Sequence, residues 1–229
     1  MKIWASPNLE LKGPILTFPF IGFLGGGSAG EPIPDYLVHV ATNESQVIVG
    51  MLIELTWALS VVGIIVTLFP IFKKHNETLA LGFFGLRFME AISNMIHSIL
   101  LLSLVTLSQE YRAAGYPDTA YFQTAGTLFL EAREWTFLIG SGLVWSLSAL
   151  VLNVLLYQRT LIPRWLSVWG LVGATLSFVA YILQFFSINL TEFLYLPIGV
   201  QEMVFAVWLI VKGFNSSALA SGSAKTDIT

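Results

Sequence analysis

Apolar runs long enough to cross a bilayer alternate with short polar breaks along most of the chain. Residues 46–72, 78–106, 122–157, 163–187 and 194–214 form five such runs, each reaching the roughly 20 residues that span about 30 Å of hydrocarbon. The breaks are Lys73-Lys74-His75-Asn76-Glu77, a loop over 107–121 with Gly115-Tyr116-Pro117-Asp118 as its turn, Gln158-Arg159, and residues 189–192. Pro163 stands at the opening of a run, where its missing N–H costs a helix nothing. A weaker run, 14–25, contains Pro19 and leads into Gly25-Gly26-Gly27-Ser28-Ala29-Gly30. It reads as an uncleaved, poorly formed first helix, with a secretory signal peptide as the alternative. Residues 31–43, with Pro32, Pro34 and Asp35 as breakers, read as an exposed loop. The Ser/Ala/Gly tail after 214 reads as disordered. The expected fold is therefore all-α: a polytopic membrane helix bundle of about six transmembrane helices. Residues 1–45 hold the weak helix and an outer loop, 46–214 the bundle, and 215–229 a tail.

Charge in the breaks sets an orientation. Lys73, Lys74, Arg159, Arg164 and Lys212 fall in alternate breaks, whereas 31–45, 107–121 and 188–193 are mostly acidic, with Arg112 their one basic residue. The excess of Lys and Arg on cytoplasmic loops then predicts both termini inside and a place in the cytoplasmic (inner) membrane. Lys2 and Lys12 agree with that side.

Composition narrows the class further. Hydrophobic residues make up 55% and charged residues 11% of the chain, against roughly 25% charged in soluble domains, and the mean hydropathy is +0.76. A net charge of −3 without a long basic run argues against a nucleic-acid partner. The absence of cysteine excludes disulfides, thiolate metal sites and cysteine nucleophiles.

Against this apolar background the ionisable residues inside the runs stand out. Glu131-Ala132-Arg133-Glu134-Trp135 lies within the longest run, and Glu54, Arg87, Glu90, His97 and Glu202 lie within others. A charge at mid-bilayer costs about 2.5–3.5 kcal/mol on insertion scales, so such groups face a protein interior and find partners there. Arg87, Glu90, Asn94 and His97 are spaced 3, 4 and 3 apart and form one polar stripe. Gln123, Thr124, Thr127, Glu131, Glu134 and Ser141 form a second. Arg133 falls off that stripe, on the side of Gly126 and Gly140, and is expected to reach an acid on another helix: Glu54, Glu90 or Glu202. Counting down from the outer helix ends at 1.5 Å per residue puts Glu54, His97, Glu131, Glu134 and Glu202 at one depth, with Glu90 and Arg87 deeper. Five acids then face two arginines and one histidine. Some glutamates must be protonated, or the interior must hold water or a cation.

Further stretches carry a resemblance: Leu79-Ala80-Leu81-Gly82, Arg87 with Glu90, Tyr121-Phe122-Gln123, Arg133-Glu134-Trp135, the run from Leu161-Ile162-Pro163-Arg164-Trp165 to Trp169-Gly170, and Gln201-Glu202-Met203. Over roughly residues 45–215 the chain resembles a bacterial family of multi-pass inner-membrane proteins catalogued as domain of unknown function four-three-eight-six. The chain departs from that family at its N-terminus, and at Glu131, where relatives tend to carry a small residue. The resemblance implies membrane placement and supplies no activity.

Three readings stay open. Glu54, Arg87, Glu90, Asn94, His97, Glu131, Arg133, Glu134, Gln201 and Glu202 can line a cavity, open to the outer leaflet, that takes a small polar or amphipathic ligand and handles protons. Alternatively, Glu131 or Glu134 acts as general acid in a membrane-embedded enzyme on a lipid or isoprenoid, with Arg133 holding an anionic headgroup. In the third reading, Arg87–Glu90 and Arg133–glutamate pairs are structural clasps of a sensor or partner protein. His97 with Glu131 and Glu134 lacks a diagnostic metal-binding spacing, so no metal and no cofactor are assigned. Membrane lipid is the expected surrounding, and a homo-oligomer is compatible with the sequence.

Overall fold

In the computed structural model the described residues are 32–117, 120–186, 188 and 191–223. All their regular structure is helical: α1 (Ile33–Thr42), α2 (Glu44–His75), α3 (Glu77–Ala113), α4 (Ala120–Thr136), a π-helical segment (Phe137–Val144), α5 (Trp145–Gln158), α6 (Arg164–Gln184), α7 (Thr191–Val211) and α8 (Ser216–Ser223). Five helices are long and apolar enough to cross a membrane: α2, α3, the continuous α4–π–α5 rod, α6, and α7 from Phe193. They coincide with the five strong apolar runs. The sixth span, expected over 14–25, lies outside the described residues.

Residues 33–42 are not the expected loop. Pro34 sits in the first turn of α1 with Pro32 at its N-cap, where neither proline removes a needed donor. Tyr36, Leu37, Val40 and Ala41 are buried, and this i, i+1, i+4, i+5 face packs onto α3 and α4. The start of the tail also differs from expectation. The Asn215 N–H donates to the Leu161 carbonyl (2.9 Å), and Ala218 of α8 is buried against Phe72, Phe83 and Leu161.

Two apolar cores mark the ends of the bundle. At one end Phe72, Phe83, Leu155, Leu156, Leu161 and Leu166 pack together, with Phe72 edge-on to Phe83 (5.5 Å between centroids). The basic breaks all fall at this end. At the other, Leu37, Val47, Leu101, Leu104 and Tyr111 pack beneath α1. Helix lengths are unequal: the 37 residues of α3 extend about 55 Å, whereas the 21 of α7 extend about 31 Å. The α1–α4 end therefore projects beyond the level where α6 ends and α7 begins.

Small residues let the helices approach. A Cβ on Gly140 would overlap the side chain of Ser93, joining the π segment to α3, and one on Gly173 would lie 2.9 Å from the Ile198 amide nitrogen of α7. Where no hydrophobic force drives association, close packing of this kind is what holds helices together. Helix α7 packs chiefly on α6, and its outer face of Phe193, Leu196, Met203, Val207 and Ile210 is exposed, as an apolar surface in contact with lipid would be.

Candidate functional site

Helix α3 carries the polar column around which the interior is built. Arg87, Glu90, Asn94 and Ser98 are all buried on one face of it, with His97 half-buried beside them. The spacing of seven to ten residues from Arg87 and Glu90 to His97 separates two charged centres by about 10–15 Å along the helix.

The outer centre joins three helices. Arg133 of α4 forms an ion pair through a terminal guanidinium nitrogen with Glu54 Oε1 of α2. Its Nε donates to His97 Nε2 at 3.0 Å. His97 Nδ1 lies 3.3 Å from Glu54 Oε2, and Ser98 Oγ lies 3.4 Å from the same oxygen. A guanidinium can only donate, so His97 Nε2 must present its lone pair. Its ring proton therefore sits on Nδ1 and points at Glu54. This assignment follows from the bonding pattern. One carboxylate, one guanidinium and one neutral imidazole make a closed, charge-balanced ring.

The inner centre is built differently. Arg87 Nη1 lies 3.0 Å from Glu90 Oε2 one turn along the same helix, and the guanidinium stands 5.7 Å above the Phe83 ring. Glu90 is 1% exposed. Glu202 of α7 is in electrostatic range of both Arg87 and Glu90, and its carboxylate accepts from the Trp145 indole at the start of α5. Tyr181 of α6 adjoins both acids and stacks on Tyr195 of α7 (4.6 Å), whose hydroxyl receives Gln184 Nε2 at 2.9 Å. Arg87 thus pairs with Glu90 while Glu202 stands in range without an ion pair, and the buried Arg87 Nε has no acceptor among the described residues.

The π segment links the centres. Arg133 lies four residues before it, Phe137 at its start rests 5.8 Å from the His97 ring, Ser141 in its middle donates to Asn94 Oδ1 (2.5 Å), and Trp145 follows its end. In a regular α-helix Arg133 and Ser141 would point about 80° apart. The wider π winding turns less per residue and brings both onto the face that meets α3. Asn94 Nδ2 and one Arg133 terminal nitrogen remain buried without acceptors among the described residues.

Several expected members of the site stand elsewhere. Glu131 and Glu134 are only partly buried, and neither side chain makes a hydrogen bond or ion pair among the described residues, although Glu134 lies in electrostatic range of Arg133. Gln123, Thr124 and Thr127 on the same stripe are exposed. The apolar helix neighbours pack on the Gly126–Arg133 side of α4, which turns the polar stripe outward. Gln201 is 2% exposed, but its amide donates to the Leu166 carbonyl (3.3 Å), tying α7 to α6. Glu202 belongs with Arg87 and Glu90, not with His97 as depth counting suggested, because the long helices overshoot α7 at the outer end. The π segment and Trp145 were missed. Gly140-Ser141-Gly142 inside an apolar run was the available signal, since Gly/Ser pairs are frequent sites of helix irregularity.

The family model described as Domain of unknown function (DUF4386) matches residues 17–213. The chain belongs to this family. The match embraces every helix that contributes to either centre. No curated protein and no solved structure matches the chain. Membership and the five apolar helices together make this an integral membrane protein with a buried charge cluster.

Proposed function

We propose that this family member is a small-ligand binding or proton-coupled transport protein of the bacterial inner membrane, working through the inner centre. The observation that carries the reading is that Arg87 pairs with Glu90 while a second acid, Glu202 on a different helix, lies in electrostatic range of both. With both acids ionised the centre holds one uncompensated negative charge. An uncompensated charge in a low-dielectric interior is not sustained, so the site is neutralised by a proton or by a cationic group of a small polar or amphipathic ligand. Competition between those two for the same carboxylates is the elementary requirement for coupling.

Helix α7 supplies the means of movement. It packs chiefly on one neighbour, and Pro197 interrupts it, removing an i→i−4 hydrogen bond about one turn before Glu202. A shift of α7 about that point moves Glu202 toward or away from Arg87. The outer centre, fully paired, serves in this reading as the clasp that holds α2, α3 and α4 together.

The test is proton uptake in proteoliposomes carrying an internal pH-sensitive dye, on addition of a panel of small amines and quaternary ammonium compounds. Uptake or release that depends on the added cation, and disappears in Glu202→Gln, supports the reading. No proton movement with any of them, or movement unchanged in Glu202→Gln, defeats it. The loop charge bias also favours a cytoplasmic basic end in this reading, which reporter fusions at residue 113 and after residue 214 would check.

A further inference from the structure

The basic end of the bundle holds a group of basic side chains that neither the inner nor the outer centre uses. His75 closes α2 and is buried, with Arg159 and Lys74 as its charged neighbours. Arg164 lays its guanidinium 5.6 Å above the Tyr157 ring. The one described acid at this end, Glu77, is occupied by Lys73 at 3.2 Å. Helix C-termini favour cations in their last turns, and that alone would explain Lys74 and His75. It does not explain Arg159, which lies beyond α5, is half-buried, and has its Nε shielded from solvent with no acceptor among the described residues.

The turn holding Arg159 is fixed firmly. Thr160 adopts φ +49°, a left-handed conformation that costs a branched residue energy and persists only where its surroundings impose it. Here they do so through Asn215, whose backbone N–H donates to Leu161 O at 2.9 Å and whose side-chain amide donates to Thr160 O at 3.3 Å. The start of α3 at Glu77 and of α6 at Arg164 bring helix N-termini, with their free N–H groups, to the same end.

The geometry points to a phosphate-binding site at the basic end, in which Arg159 and Lys74 receive the phosphate of an anionic lipid headgroup. The terminal nitrogens of a guanidinium held on so fixed a turn match the forked acceptors of a phosphate. Basic groups clustered at the membrane surface are what attract such headgroups. The site is independent of the proposed role of Glu90 and Glu202.

The test uses the purified full-length protein in detergent, with its melting temperature followed against added short-chain phosphatidylglycerol, short-chain phosphatidylcholine or inorganic phosphate. Wild type and Arg112→Gln, which loses a cation at the opposite end, should be stabilised equally by phosphatidylglycerol. Arg159→Gln should need about fivefold more of it for the same shift, the effect of one basic group at an anionic surface. Arg159→Lys keeps the charge and loses the fork, and should fall between; it also serves if Arg159→Gln does not fold. An Arg159-dependent shift produced by inorganic phosphate alone would assign the site to the free anion. If Arg159→Gln or Arg159→Lys responds to phosphatidylglycerol as wild type does, or Arg112→Gln is weakened as much, the site does not exist and the attraction is diffuse.

Discussion

The outer and inner centres use the same kinds of side chain and reach opposite results. Around Glu54 the carboxylate is fully coordinated: Arg133 neutralises it, His97 and Ser98 complete its hydrogen bonding, Glu134 stays in electrostatic range of Arg133 without an ion pair, and the three helices involved are among the most extensively packed. Around Arg87 the charges do not cancel, and the second acid comes from α7, a peripheral helix that carries a proline within it. Balanced charge on well-packed helices makes a clasp. Unbalanced charge that reaches across to a helix held chiefly by one neighbour makes a place where a proton or a ligand is needed and where its arrival can change the structure. Buried ionisable groups in a membrane protein are therefore informative only when their partners are counted helix by helix.

The largest effect should come from breaking the clasp. Arg133→Leu or Glu54→Gln leaves a buried charge without its partner, which typically costs 3–5 kcal/mol. Loss of folded protein in a detergent thermal melt should follow, and the double variant Arg133→Leu/Glu54→Gln should recover part of it. A stable Arg133→Leu protein would mean that the outer centre clasps nothing. Next in size is Gly173→Val, whose side chain would meet the Ile198 backbone; overpacking of that kind costs about 1–3 kcal/mol. It should push α7 off α6 and abolish proton uptake while leaving the Arg133–His97 bond, followed by histidine nitrogen NMR, unchanged.

Ser141→Ala tests the link between the centres. It removes the hydrogen bond to Asn94 Oδ1 and leaves that buried amide with no partner for either end, at about 1–3 kcal/mol. A melting temperature equal to wild type would show that the π segment is not bonded to α3 there. The smallest effect belongs to Glu202→Gln, within about 1 kcal/mol of wild type or slightly stabilising, because it removes the surplus charge and keeps an acceptor for Trp145. Glu54→Gln and Glu202→Gln are chemically the same substitution. A comparable stability loss in both would erase the distinction between the centres.

Much of this was legible in the chain. Five apolar runs became the five spans, since roughly 20 apolar residues in lipid have few alternatives to a helix. The position of Arg133 on the Gly126–Gly140 side predicted an interhelical partner, and Glu54 is that partner. Three features were hidden for separable reasons. The prolines of 32–34 look like breakers, yet a helix tolerates them in its first turn, so α1 passed for a loop. Depth counting assumed helices of similar length with aligned ends, and the 37 residues of α3 overshoot that frame, which misplaced Glu202. The outward turn of Glu131 and Glu134 depends on which side of α4 its neighbours cover. Periodicity gives the stripe but not the direction it faces.

The central claim is that the inner centre carries a proton that the outer centre does not. Infrared spectroscopy of the membrane-reconstituted protein at neutral pH, comparing wild type with Glu54→Gln, Glu90→Gln and Glu202→Gln, reads this directly through the stretch of a protonated carboxyl group. The account predicts such a band in wild type, its loss when either Glu90 or Glu202 becomes glutamine, and its persistence in Glu54→Gln. A band that survives in both inner variants, or one that disappears in Glu54→Gln, would contradict it.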